Sequence, residues 1–130
     1  MIEFNGWVQL ALSTDGEGED NVTSAVQVFG RIVDGIRCHA TFPFIQARNG
    51  SYYLHVAGNA NHNGLDWAET SELLEEVANR FPGAYGLVYL RDDEDSQGNE
   101  NAFVVYVVRR GTVECHLDSF LSPCNPVIEE

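Results

Sequence analysis

Two stretches of this chain place apolar residues at three- and four-residue steps, and each lies between runs rich in β-formers. In the first, Val22, Ala25, Val26, Phe29, Ile32, Val33 and Ile36 recur with a helical period. In the second, Leu73, Leu74, Val77, Ala78 and Phe81 do the same. A strand alternates every second residue, so these spacings predict two amphipathic helices. Asp20 or Asn21 is the expected cap of the first, and Gly35 its stop. Asp66-Trp67-Ala68-Glu69 has capping-box spacing with Asp66 as the cap, and Pro82-Gly83 ends the second helix.

The remaining apolar runs predict strands. Residues 2–12 set Val8, Leu10 and Leu12 on one face and Trp7 on the other. Runs 37–48 and 51–58 are joined by Asn49-Gly50, the residues a two-residue type I′ turn demands. Further strands are expected at 85–91, 103–109 and 112–117, with loops at 15–20, 59–65 and 92–101 and an irregular tail at 118–130. The order β-α-β-β-α-β-β-β predicts an α+β fold, a mostly antiparallel sheet with two helices on one face. Its βαββαβ portion is compatible with a ferredoxin-like arrangement, other strand orders staying open. The length of 130 residues fits a single domain spanning 1–130.

Charge narrows the function classes. Seven basic residues, all arginine, stand against 20 acids, giving a net charge of −13. Such a surface repels phosphates, so neither nucleic acid nor an anionic membrane is an expected partner. No apolar run has the length of a membrane helix, and MIEFNGWVQL lacks a signal-peptide pattern, so a cytoplasmic location is expected. Three cysteines, Cys38, Cys115 and Cys124, make no disulfide framework.

Specific chemistry is sparse. Cys38-His39 and Cys115-His116 are adjacent pairs whose side chains would leave opposite faces of a strand, and the usual zinc spacings are missing. Asp93, Asp95, Gln97 and Gly98 imitate the start of a calcium loop, but Val104 stands where a bidentate Glu belongs. No nucleophile elbow or phosphate loop is present. An enzyme would have to use His62 with Asn61 or Cys124, a pattern without recognisable base–nucleophile spacing. No catalytic residue, metal or cofactor is expected.

The acids are clustered. Asp15, Glu17, Glu19 and Asp20 fall in one segment, Asp92, Asp93, Glu94 and Asp95 in another, and Glu69, Glu72, Glu75 and Glu76 on the outer face of the second helix. Solubility alone accounts for such clusters in many acidic domains. The functional alternative is steering towards a basic protein, for which a nuclease domain is the natural candidate. On that reading Asp15, Glu17, Glu19, Asp20, Glu69, Glu72, Asp92, Asp93, Glu94 and Asp95 are the candidate contacts. A small-ligand or regulatory α+β module is the competing class, because helices over a sheet often frame a cleft.

Several motifs occur together: Gly6-Trp7 near the start, Gly58-x-x-Asn61-His62, Pro82-Gly83-Ala84-Tyr85-Gly86-Leu87-Val88-Tyr89 with Arg91-Asp92-Asp93-Glu94, and Asp118-Ser119-Phe120-Leu121-Ser122-Pro123-Cys124-Asn125-Pro126 with Glu129. In these the chain resembles the seventh numbered family of immunity proteins from bacterial polymorphic toxin systems. The resemblance spans nearly the whole chain, and the tail is its most specific part. Residue 125 departs from it, with Asn in place of an aliphatic residue. The resemblance implies a non-enzymatic inhibitor that binds and neutralises the toxin domain of a secreted effector. It implies structural roles for Trp7, Asn61, His62, Tyr85, Phe120, Pro123, Cys124 and Pro126, with Phe120 and Leu121 expected to pin the tail to the sheet.

Overall fold

The computed structural model describes residues 1–13, 19–36, 43–61 and 63–124, with the backbone alone at 19 and 20. The elements follow the expected order: β1 (Ile2–Leu10), α1 (Glu19–Asp34), β2 (Phe44–Arg48), β3 (Ser51–Ala60), α2 (Leu65–Arg80), β4 (Tyr85–Asp92), β5 (Val104–Arg109) and β6 (Thr112–Leu117). They form one six-stranded sheet in the order β2-β3-β1-β4-β5-β6. Every neighbouring pair is antiparallel. The first four strands therefore run β4-β1-β3-β2, the split βαβ arrangement, and the β5–β6 hairpin extends it beyond β4.

Alternation divides the sheet into two unlike faces. Even-numbered positions of the central strands, Ile2, Phe4, Val8 and Leu10 of β1, Leu54 and Val56 of β3, Val88 and Leu90 of β4, point into the core. Val26, Phe29 and Val33 of α1 and Trp67, Leu73, Leu74 and Val77 of α2 close over them. Phe29 meets Phe81 edge-on, with ring centroids 5.5 Å apart, and so ties α1 to the end of α2. Trp67 packs between Phe4 and Tyr106 at 5.1 and 4.9 Å. That burial, with Cys115 beside it as a second cause, lifts the pKa of the Tyr106 hydroxyl to about 12.

Local chemistry explains the joints. Asn49 and Gly50 have φ of 49° and 82°, the paired positive values of the expected tight turn. β1 and β4 approach so closely that a Cβ on Gly6 would overlap the Leu87 carbonyl, and one on Gly86 the Trp7 carbonyl. These two glycines bracket Trp7 and hold it on the central seam of the sheet.

Several expected boundaries shift. Helix α1 begins at Glu19, so Asp20 and Asn21 lie inside its first turn rather than at its cap. Gly64 occupies the cap position of α2; without a side chain it caps no amide, and its carbonyl accepts the Ala68 amide at 3.0 Å as the first helical bond. Asp66 is thus a first-turn acid, which still suits the helix dipole. Strand β1 stops at Leu10 instead of residue 12, and β3 runs on through Ala60 into the expected loop. The run 37–42, and with it the first half of the expected second strand, lies outside the described residues.

The tail is held differently from the expectation. Phe120 is 88% exposed and Leu121 54%, so neither is buried as an anchor. Polar groups do that work. Asp118 is buried, its amide donates to the Phe103 carbonyl at 3.0 Å, and its carboxylate accepts the Leu121 amide at 2.6 Å. The Ser122 hydroxyl accepts the Phe103 amide at 2.9 Å, and the Cys124 amide donates to the Asn101 carbonyl at 2.9 Å. The tail thereby fixes the segment leading into β5.

Candidate functional site

The face of the sheet opposite the helices is covered by no described helix. Odd-numbered positions of β1, β3, β4 and β5 and even-numbered ones of β2 and β6 line up across it. One row runs Phe44, His55, Trp7, Leu87, Val107, Glu114, and the next Gln46, Tyr53, Gln9, Tyr85, Arg109, Thr112. Trp7, Phe44 and Tyr85 are 38%, 52% and 50% exposed, large fractions for aromatic groups clustered on one face. Trp7 stands edge-on to both Tyr53 and Tyr85 at 6.5 and 6.1 Å. Tyr85 donates its hydroxyl proton to the Gln9 side chain, which fixes the phenol ring.

Charges on this face are segregated. At one end Arg48 lies 5.5 Å over the Tyr53 ring and bonds the Gln46 side chain at 2.7 and 2.9 Å. It also contacts His55 Nε2 at 2.8 Å. His55 stacks on Phe44 at 4.9 Å, and burial together with the Arg48 charge holds its pKa below the ordinary histidine value. Arg109 pairs with Glu114 at 3.1 Å, and the His116 and Arg109 contacts hold the Glu114 carboxyl below its usual range.

At the opposite end the open face carries Glu3 beside Arg91, and the turn that leaves β4 is acidic, with Asp92 and Asp95 on its helix side. Asp92 closes β4, where its carboxylate accepts the Glu94 amide at 3.0 Å and the Asn63 side-chain amide at 3.3 Å. Asp93 and Glu94 take the N-terminal ammonium at 2.5 and 3.5 Å, which raises its pKa. Asp95 accepts the amides of Gln97 and Asn99, both at 3.0 Å, and so organises the turn that resembled a calcium loop. Among the described residues, no group of three or more His, Cys, Asp and Glu is placed to hold a metal.

Next to that acidic end the open face hollows into a groove of about 750 Å3. Glu3, Asn5 and Asn59 supply its polar lining, and Trp7, Leu87, Tyr89, Phe103 and Leu121 its apolar walls. Tyr89 and Phe103 meet edge-on at 6.3 Å. Sequence reasoning passed over Glu3, Asn5, Leu87, Tyr89 and Phe103 as site residues. The available signal was the alternation at 85, 87 and 89, which puts side chains on the same face as Trp7.

The sequence-predicted contacts separate in space. Asp92, Asp93, Glu94 and Asp95 form one cluster at the sheet end. Glu69 and Glu72 instead line a cleft of about 590 Å3 between α1 and α2, with Arg31, Glu75 and Glu76. Glu76 also pairs with Arg80 at 2.7 Å. Glu19 and Asp20 lie in the first turn of α1, and their side chains are outside the description, as are Asp15, Glu17, Cys38, His39, His62 and Pro126 altogether. Among the expected structural residues, Trp7 and Tyr85 share the open face, Asn61 is exposed after β3, Pro123 is exposed and Cys124 half-buried.

No described helix is long and apolar enough to cross a membrane. No curated protein and no solved structure matches the chain. A family model described as Immunity protein 7 matches residues 1–130, the entire sequence. With a match over its full length, the chain belongs to the immunity protein 7 family.

Proposed function

We propose that this protein binds the toxin domain of a polymorphic toxin system in the cytoplasm of the producing cell and occludes it, acting by binding rather than by catalysis. The whole-chain membership of the immunity protein 7 family carries this reading. The net charge of −13 adds a direction: the toxin domain it fits is basic, as a nuclease domain is, because opposite charges accelerate encounter. The cluster Asp92–Asp95 supports a role in that encounter. Its carboxylates are gathered at one sheet end by the turn itself, and the N-terminal ammonium offsets only part of their charge.

The test is co-expression with the toxin domain encoded immediately upstream. A one-to-one complex isolated by affinity capture, together with restored growth, is the expected result. A folded protein that neither binds nor protects against a demonstrably toxic neighbour overturns the reading. A thermal-shift screen against metabolites then addresses the ligand-module alternative, for which the open groove is the site.

A further inference from the structure

The groove beside the acidic end combines aromatic walls with a sparse polar lining. Its walls are three aromatic rings, Trp7, Tyr89 and Phe103, and two leucines, Leu87 and Leu121. Its polar lining is one carboxylate, Glu3, and two amides, Asn5 and Asn59, with no basic side chain among them. Glu3 has Arg91 as its neighbour, but at 3.9 Å, beyond hydrogen-bond distance, so the carboxylate oxygens keep acceptor capacity towards the groove. Around this end of the sheet, three carboxylates (Glu3, Asp93, Glu94) stand against one guanidinium (Arg91) and the N-terminal ammonium, while Asp92 points to the helix side with its partner Ile2. The local field therefore favours a cation. Aromatic faces attract cations, and they also cover the alkyl stem of a long basic side chain.

We infer that the open face of the sheet is the surface that docks the toxin domain, and that the groove between Trp7, Tyr89 and Phe103 receives an arginine or lysine side chain of that domain. The occupant follows from charge complementarity: an aromatic-walled groove whose one charged lining group is a carboxylate, on a protein of net charge −13, fits a basic partner. The exposed aromatics Trp7, Phe44 and Tyr85 continue the contact across the sheet, in the composition typical of interface centres. The tail takes part by placing Phe103 and Leu121 at the groove wall through Asp118 and Ser122. This inference rests on the immunity reading above.

The experiment measures toxin affinity and growth rescue for the full chain and three variants, with a melting curve for each. Trp7→Ala removes the central aromatic, Glu3→Gln removes the charge at constant shape, and Val28→Ala trims an exposed apolar residue of α1. Trp7→Ala is expected to weaken binding at least about thirtyfold and Glu3→Gln at least about tenfold, with Val28→Ala within about twofold of the parent. In a scan of the toxin's basic residues, one arginine or lysine is expected to couple to Glu3 in a double-mutant cycle. If the parent binds and protects while folded Trp7→Ala and Glu3→Gln do so equally well, the docking surface lies elsewhere and the immunity reading stands. If the parent itself neither binds nor protects, that reading fails and this inference with it. A dimer in solution that Trp7→Ala dissociates, with toxin binding unaffected, makes the face a self-interface and overturns the inference.

Discussion

His55 shows how a single residue reports on the open face. Its Nε2 lies 2.8 Å from an Arg48 nitrogen, so the ring must present a lone pair there and stay neutral. Burial and the neighbouring cation both disfavour the imidazolium, and its pKa falls below the ordinary 6.5. The unfolded chain then binds this proton more readily than the folded one, so this group's contribution favours folding at neutral pH and fades as pH drops below about 6.5. An NMR titration is expected to place the His55 midpoint below that value, with Arg48→Met moving it upwards; an unmoved midpoint would leave burial as the sole cause. Asp118 is a second informative residue. Its buried carboxylate accepts a backbone amide at 2.6 Å, a charge-assisted bond that Ala cannot replace. Asp118→Ala is expected to cost about 1–3 kcal/mol in denaturant unfolding. That role was hidden in the sequence, where Phe120 and Leu121 looked like the anchors. Apolar residues usually pack, and only the register of the tail against 101–103 reveals that hydrogen bonds hold it instead.

At the scale of elements, the periodic signals were readable and the local joints less so. Both helices and the whole strand order along the chain follow from spacing, because a face that must be buried imposes its period on the sequence. The Asn49-Gly50 turn was equally plain, since few residues tolerate its backbone. The α2 start was not, because Asp66 has the residue type of a better cap, yet the helix already begins at Leu65 with Gly64 before it. The β5–β6 hairpin offers a test of the same turn chemistry. Arg110 sits at φ 50° before Gly111 at 73°, a left-handed position where a long side chain is disfavoured. Arg110→Asn is expected to stabilise the fold by about 0.5–1 kcal/mol, read as a higher denaturant midpoint at unchanged slope. Phe29→Ala tests the joint between layers: Phe29 is fully buried against Phe81, and its loss is expected to cost about 3–5 kcal/mol.

Across the whole molecule, acid density is uneven in a way composition could not reveal. One acidic cluster lies between the helices, another at the end of the sheet, and the aromatic face runs from that end towards Arg48 and Arg109. Composition did establish that a basic partner is physically reasonable; which acids stand together, and beside what, required the fold. The two parts of the proposed contact should therefore separate kinetically. Long-range attraction by Asp92–Asp95 acts before contact and is screened by salt, whereas filling the groove acts after contact. Replacing Asp92, Asp93 and Asp95 by Asn and Glu94 by Gln keeps the acceptors that the Glu94, Gln97 and Asn99 amides require, so the turn is expected to survive. That variant should associate with the toxin about tenfold more slowly at low salt, and its rate should depend less on ionic strength than the parent's. Trp7→Ala should leave the association rate near the parent value and speed dissociation. Stopped-flow mixing across a salt series reads both rates. An association rate that ignores the four substitutions would remove the acidic loop from the encounter and leave the sheet face as the sole candidate for both steps.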